Sequence, residues 1–497
     1  MSRPAVYRSV VLGLDGIPWR LLEQWGRAGS LPNIQQLLER GACGPLESTI
    51  PPTSAVSWPS IASGVRPDKH GIYGVRRLTR SYDSELNSSA HVRQPPVWKM
   101  ITPAIVVNVP ATYPAEEIDG TMVTGMLTPH RDAGFTHPRT LGNAIDEEFP
   151  EYRIGPTLTS DLTRPYTEEI ERVVGARRDL VRSFMDDSQW GLVFAVFTGP
   201  DRLQHVVWDE HELLSHYQTI DEIIGEMMSH VADRNGNLFV VSSHGFGPSA
   251  RTVHLNTLLE HGGFLRDEAD SRTASRRSKQ SADRVNSFTT GDSRGSTPTV
   301  CMDHANTRVF GHSTRNIYVN DTIRFDDGIV PPSSRADEKR RVMTFFESVV
   351  CPDTGDPLLR VYDGTDLYPT DPLAPDVIIE AARGADISTE RADEPIQAHE
   401  TGGAHRSNGA ILAWGPNICQ RPLEDATVYD VAPTLLHSQL HPIPNNVDGR
   451  VLDIFQTDSA PGARSPTYMH VRGGPQPIDR SRSIRESTRV QGLTHFE

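Results

Sequence analysis

A parallel α/β fold is what the sequence predicts, and three observations carry that prediction. Apolar strand-like runs recur along the chain (VVLGL, AIVVNVP, GLVFAVF, NLFVVSS), amphipathic stretches alternate with them, and polar residues beside glycine or at strand ends follow several of the runs. Strands that alternate with helices imply a parallel sheet. With 497 residues, 37% hydrophobic and 23% charged, the chain can bury a large core as one elaborated domain or two.

The first strand, VYRSVVLGL, runs straight into Asp15, and WRLLEQWGRAGSLPNIQQLLERG reads as the helical stretch after it. PPTSAVSWPSIASG then places Ser54 at a helix start, where backbone N–H groups and the positive dipole end favour a phosphate oxyanion. Ser54 or Thr53 could equally serve as the N-cap of that helix, and the two roles are compatible. AIVVNVP is the next strand. Tyr166 to Asp187 shows helical periodicity with acidic residues early and basic ones later, and GLVFAVF follows as a buried strand. The helix ELLSHYQTIDEIIGEMMSHVADR leads to NLFVVSS. Residues 267–296 are polar and poor in core residues, which predicts a mobile surface loop. A mixed segment follows, and the α/β pattern is expected to resume at APDVIIEA. The tail from residue 457 has little periodicity and is expected to be poorly ordered.

Ligands of open α/β sheets collect at the carboxyl ends of strands. Asp15 in VVLGLDG, Asp201 in GPDRLQH and His244 in SSHGFGP all fall there. Taken singly, an aspartate before glycine is usually a turn or cap, and a lone histidine a satisfied polar group; their joint placement points to metal ligation. Asp201 and His205 are four apart, on one face of a helical turn. His405 in GGAHRSNG would complete a carboxylate and two imidazoles, a set suited to Zn²⁺ or Mn²⁺ with a position left open for substrate. Asp15 and His244 would hold a second ion, with Ser54 bridging to it. A serine hydroxyl needs a base or a metal to become a nucleophile, and no histidine lies in the Ser54 island itself.

Charge and cysteines limit the function classes. A net charge of −15 disfavours a stable nucleic-acid partner bound through a basic surface. Cys43, Cys301, Cys351 and Cys419 form no CxxC pair, which argues against a disulfide framework and a structural zinc knot. No apolar run approaches the roughly 20 residues that span a bilayer. The first strand begins too soon for a secretory leader, so a cytoplasmic location is expected.

These islands together resemble the alkaline phosphatase superfamily, specifically its type I phosphodiesterase and nucleotide pyrophosphatase branch in archaeal and bacterial form. The likeness extends through GVRPDKHGIYG, HLNTLLEHGGFL, NIYVN, PDTGDPLLRVYDGTDLY and DVAPTLLHSQLHPIPNNVDGRVLDIF, in the family's order. The resemblance implies a central, mostly parallel sheet flanked by helices on both faces. It places an α/β core at 1–265 and 372–456, an inserted cap at 266–371 and a tail at 457–497.

By the same resemblance, Asp201, His205 and His405 match a first metal site and Asp15 and His244 a second, while Ser54 matches the nucleophile and a metal ligand. The implied activity is metal-dependent hydrolysis of a small phosphodiester or pyrophosphate through a phosphoseryl intermediate, with two divalent ions, Zn²⁺ before Mn²⁺. Two positions depart from the pattern. Ser243 stands where the family usually carries a metal-binding aspartate, so a weaker second site is expected, with a phosphate-binding pseudoenzyme as an alternative. Val75 stands where nucleotide-cleaving relatives carry an asparagine, and the neighbouring Arg76 and Arg77 are open between phosphate contact and plain surface. A phosphomonoesterase or a phosphonate or sulfate ester hydrolase is the other alternative. Oligomeric state is not legible.

Overall fold

The apolar runs of the sequence become neighbouring strands of one large sheet. The computed structural model describes residues 7–131, 134–156, 164–187, 189–266, 302–399 and 402–470; the expected loop at 267–296 and residues 471–497 of the expected tail lie outside them. Across the sheet the strands run Arg421–Pro422, Ala42–Glu47, Asn408–Trp414, Asn237–Val241, Ser9–Leu14, Leu192–Phe197, Ala104–Val109, Gly120–Thr124 and Thr136–His137. Ser9–Leu14 lies in the middle, parallel to Leu192–Phe197 on one side and to Asn237–Val241 on the other.

Successive residues of that middle strand point into different cores. Val10, Leu12 and Leu14 pack with Leu21, Ile34, Ile170 and Tyr217 from helices on one face, and Val11 packs with Trp58, Ile61 and Leu435 on the other. Both faces are therefore covered, which is why these strands read as unbroken apolar runs. The stretch after Asp15 is two helices, Trp19–Arg27 and Pro32–Arg40. The chain turns between them at Gly29, whose φ is +76°, and Pro32 suits the first helical turn it occupies.

A second, smaller sheet is antiparallel, with strands in the order Val309–His312, Asn316–Val319, Val377–Ala381 and Leu359–Asp363. Together with helix Pro332–Glu347 it encloses its own core, which draws on Leu255, Phe264, Phe310, Val342, Phe346 and Ile387. This corrects the expectation that the α/β pattern resumes at APDVIIEA, because Val377–Ala381 is a strand of the small sheet. Val377 and Ile379 face one apolar cluster while Ile378 faces another with Tyr368 and Ala374. Burial on both sides makes the strand look like part of a parallel sheet. The residues sharing the cap's core extend from Val253 to Ile387, wider than 266–371.

One long strand, Gly245–His254, joins the two parts. Its first residues pair with Gly403–Arg406 and its later ones with Gly384–Ser388 and Ile396–Ala398. Residues 457–470 are more organised than expected, since Tyr468–Met469 pairs with Ile443–Pro444. Among the described residues, no helix is long and apolar enough to cross a membrane.

The cap is pinned internally by a buried ionic cluster. Arg324 Nε lies 2.5 Å from Asp321 Oδ2, and its other end meets Asp376. Removing one member of such a cluster leaves buried charge uncompensated, so Arg324→Ala is expected to destabilise the protein by about 3–5 kcal/mol. Urea unfolding followed by fluorescence checks this; a change under about 1 kcal/mol would show that the cluster is not structurally important.

Candidate active site

Three adjacent parallel strands deliver their C-terminal residues to one edge of the sheet. Ser9–Leu14 ends at Asp15, whose backbone N–H donates to the Phe197 carbonyl at 2.9 Å. Leu192–Phe197 leads into helix Gly199–Val206, which carries Asp201 and His205 one turn apart. Asn237–Val241 ends at Ser242, Ser243 and His244. Gly16 has φ +78°, and a Cβ there would sit 3.1 Å from both Asp201 Cα and the Phe246 ring. Glycine thus permits both the turn after Asp15 and the close approach of Asp201.

His405 arrives from a distant part of the chain by strand pairing. Gly403–Arg406 runs antiparallel to Gly245–Pro248 with His405 opposite Phe246, and the His244 and His405 rings stack with centroids 4.0 Å apart. Asp201 Oδ1 then lies 3.1 Å from His405 Nε2, 3.7 Å from His205 Nε2 and 3.8 Å from His244 Nε2. His205 Nε2 and His405 Nε2 are 3.0 Å apart, and His244 Nε2 is 3.7 Å from Asp15 Oδ1.

The protonation pattern follows from the surroundings. His244 Nδ1 is 3.1 Å from the Gly245 carbonyl and His405 Nδ1 2.9 Å from the Pro52 carbonyl. A carbonyl can only accept, so both Nδ1 atoms carry protons and both Nε2 atoms face the cluster. Burial holds His405 well below the usual imidazole range and lowers His205, which keeps the rings neutral. Burial, and then the neighbouring Asp201, raise Asp15. Burial alone would raise Asp201 too, but His205 and His405, whenever one carries the shared proton, and the Arg202 guanidinium draw it below the usual carboxylate range.

Asp15 Oδ1 accepts from Trp58 Nε1 at 3.0 Å and from the Ser243 hydroxyl, whereas Asp15 Oδ2 is buried without a hydrogen-bond partner. Buried carboxylate oxygens and neutral imidazole lone pairs facing one another lack positive charge, and a divalent cation supplies it. The donor set fits metal in two groups, Asp201 with His205 and His405, and Asp15 with Asp201 and His244, the ligand atoms of each within 4.8 Å of one another.

The first group gathers the three residues expected from the sequence. In the second, Asp201 joins Asp15 and His244, a dual placement that spacing along the chain does not reveal because it depends on which strands are neighbours. Ser54 stands beside the groups, with Oγ 3.3 Å from His244 Nε2. It is the first residue of helix Ser54–Ser63; Thr53 holds the N-cap position without a side-chain capping bond. The helix is held by the Trp58–Asp15 bond and by Ser57, whose hydroxyl is 3.0 Å from Ser48 Oγ and 2.9 Å from Thr49 Oγ1.

Ser54, Asp201, His205 and His405 open into a cleft whose opposite wall is Ser313, Thr314, Arg315 and Asp386 of the cap. Val75 lines this cleft. Arg76 and Arg77 are held elsewhere, Arg76 by the Ser84 carbonyl at 2.7 Å and Arg77 by Glu85 at 2.7 Å. Among the described residues that line the cleft the arginine is Arg315, which no sequence motif marks.

The family model described as type I phosphodiesterase / nucleotide pyrophosphatase matches residues 9–408. No curated protein matches the chain. Among solved structures, murine ectonucleotide pyrophosphatase/phosphodiesterase 5, an inactive form in complex with AMP, superposes with TM-score 0.52 at 12% identity, covering 90% of this chain and 100% of that one. Phosphonoacetate hydrolase from Sinorhizobium meliloti, in complex with phosphonoformate, superposes with TM-score 0.55 at 14% identity, covering 88% and 96%. The fold is of the alkaline-phosphatase-like kind, a large sheet between helices.

Proposed function

We propose, for a chain that belongs to the type I phosphodiesterase/nucleotide pyrophosphatase family and so to the phosphoester hydrolases, that it cleaves a small phosphodiester or pyrophosphate through a phosphoseryl intermediate on Ser54. The observation that carries this reading is the convergence of Asp15, Asp201, His205, His244 and His405 beside a serine at a helix start. Asp201, His205 and His405 would hold one divalent ion, and Asp15, Asp201 and His244 the other. Three imidazoles among the donors favour Zn²⁺ over Mn²⁺. Bound there, the ions would supply Lewis-acid charge to the serine and to the phosphoryl oxygens.

The residues themselves account for the rest of the mechanism. Helix Ser54–Ser63 directs its first N–H groups towards a phosphoryl oxygen at Ser54. The Oγ–P bond forms as the P–O bond to the leaving group breaks, and the serine proton passes to solvent. Water then cleaves the Oγ–P bond, returning the hydroxyl and releasing the phosphoryl product. A cytoplasmic setting belongs to the same reading; Cys43, Cys351 and Cys419, free thiols in the structure, are compatible with it.

Ser243 favours a second reading, a weakened enzyme that mainly binds its ligand. Its hydroxyl donates to Asp15 Oδ1 and so competes for a carboxylate oxygen that a metal would use. Ser243→Asp would remove that donor and add a third carboxylate beside Asp15 and Asp201. The expected result is a metal-free protein with a lower Tm and a Zn²⁺ affinity at the weaker site higher by about tenfold. Metal titration with a competing chelator decides; unchanged affinity would mean that Ser243 does not limit the site. Metal content and hydrolysis of bis-p-nitrophenyl phosphate by the unaltered protein test the main reading. Two ions with turnover support it, and bound ligand without turnover supports the second.

A further inference from the structure

Arg315 is a buried cation among the residues that line the cap side of the cleft. The residue is 3% exposed, and its Nε and Nη1 have no hydrogen-bond partner. Asp386 Oδ1 is 3.8 Å from Nη2, beyond hydrogen-bond distance, and accepts instead from the Ile387 N–H at 2.8 Å. A guanidinium taken out of water without full pairing is costly, and its planar fork matches an oxyanion with two parallel bonds.

The backbone that presents Arg315 is held in an unusual conformation. Ser313 and Thr314, at the tip of the hairpin between Val309–His312 and Asn316–Val319, have φ of 54° and 70°. The left-handed region is unfavourable for any residue with a Cβ, and for the β-branched threonine above all. Such strain persists where the surroundings enforce it and is typical of ligand clamps. Here the tip is seated on the core: a Cβ on Gly74 would meet Ser313 Oγ at 2.2 Å, and Asn316 Nδ2 donates to the Tyr73 carbonyl at 2.8 Å.

We propose that Arg315 binds a second oxyanion of the substrate, a phosphate or a carboxylate, while the scissile phosphoryl group sits at Ser54. The inference rests on the phosphoester-hydrolase reading of that same cleft. It narrows the substrate class to compounds with two neighbouring oxyanions, such as a P–O–P linkage, over diesters of neutral alcohols.

Binding to the metal-loaded protein, measured by calorimetry, separates the cases. The ligands are inorganic pyrophosphate, phosphonoformate and inorganic phosphate, and the proteins are the unaltered chain, Arg315→Gln and Arg315→Lys. Arg315→Gln is expected to weaken pyrophosphate or phosphonoformate by about 100-fold more than phosphate, and Arg315→Lys by less. Preferential loss of pyrophosphate names a second phosphate, and preferential loss of phosphonoformate a carboxylate. Equal losses for all three ligands, or no loss, overturn the proposal. The ratio of kcat/KM for ATP over bis-p-nitrophenyl phosphate is expected to fall in parallel in Arg315→Gln. Absence of turnover in the unaltered protein would refute the hydrolase reading while the binding comparison still judged Arg315.

Discussion

Ser54→Ala is expected to reduce hydrolysis of bis-p-nitrophenyl phosphate by about 10⁴-fold or more, because the variant removes the atom that accepts the phosphoryl group in the first step of the proposed mechanism. The same substitution removes a hydroxyl that contacts His244 Nε2 at 3.3 Å and leaves the Trp58–Asp15 bond that holds the helix. Tm and metal content are therefore expected to stay near those of the unaltered protein. Steady-state kinetics together with metal analysis provide the check. If Ser54→Ala retained a tenth of the rate, water would be attacking phosphorus directly, and no phosphoseryl intermediate would exist.

Asp201→Asn is expected to have a comparable effect by a different route. Asp201 is the one carboxylate found in both candidate metal groups, with Oδ1 within 3.8 Å of three imidazole nitrogens. The amide keeps the shape but removes the negative charge, so both ions should bind less well and the metal stoichiometry should fall from two towards zero. His205→Ala, by contrast, touches one group and is expected to leave one ion. Metal content after dialysis distinguishes them. Loss of a single ion in Asp201→Asn would show that the carboxylate serves one group alone.

The residues of the site were more legible in the sequence than their arrangement. Asp15, Asp201 and His244 stand at strand ends, and strand ends are visible because burial on both faces produces unbroken apolar runs. Asp201 and His205 are linked by helical spacing. Nothing along the chain shows that Asp201 also faces Asp15 and His244, since that follows from Ser9–Leu14 lying between Leu192–Phe197 and Asn237–Val241. Arg315 is hidden for a similar reason: a hairpin from the cap carries it to the cleft, and its neighbours Ser313 and Thr314 lack the glycine or asparagine that usually signals such a turn. The extent of the cap was misjudged at Val377–Ala381, where two apolar clusters sandwich one strand and erase the alternation expected of an antiparallel sheet.

The strand Gly245–His254 belongs to two ladders at once. Near its start it is zipped to the segment bearing His405, and further along to Gly384–Ser388 and Ile396–Ala398 beneath the cap. A lid on a flexible tether could swing clear of the cleft, but this one is spliced into the same β-ribbon that aligns the histidines. Lifting it as a rigid body would tear backbone hydrogen bonds and draw His405 away from His244. Admission of substrate therefore falls to movements of side chains and loop tips along the cleft rim, and amides of residues 251–254 should exchange with solvent as slowly as those of the central sheet.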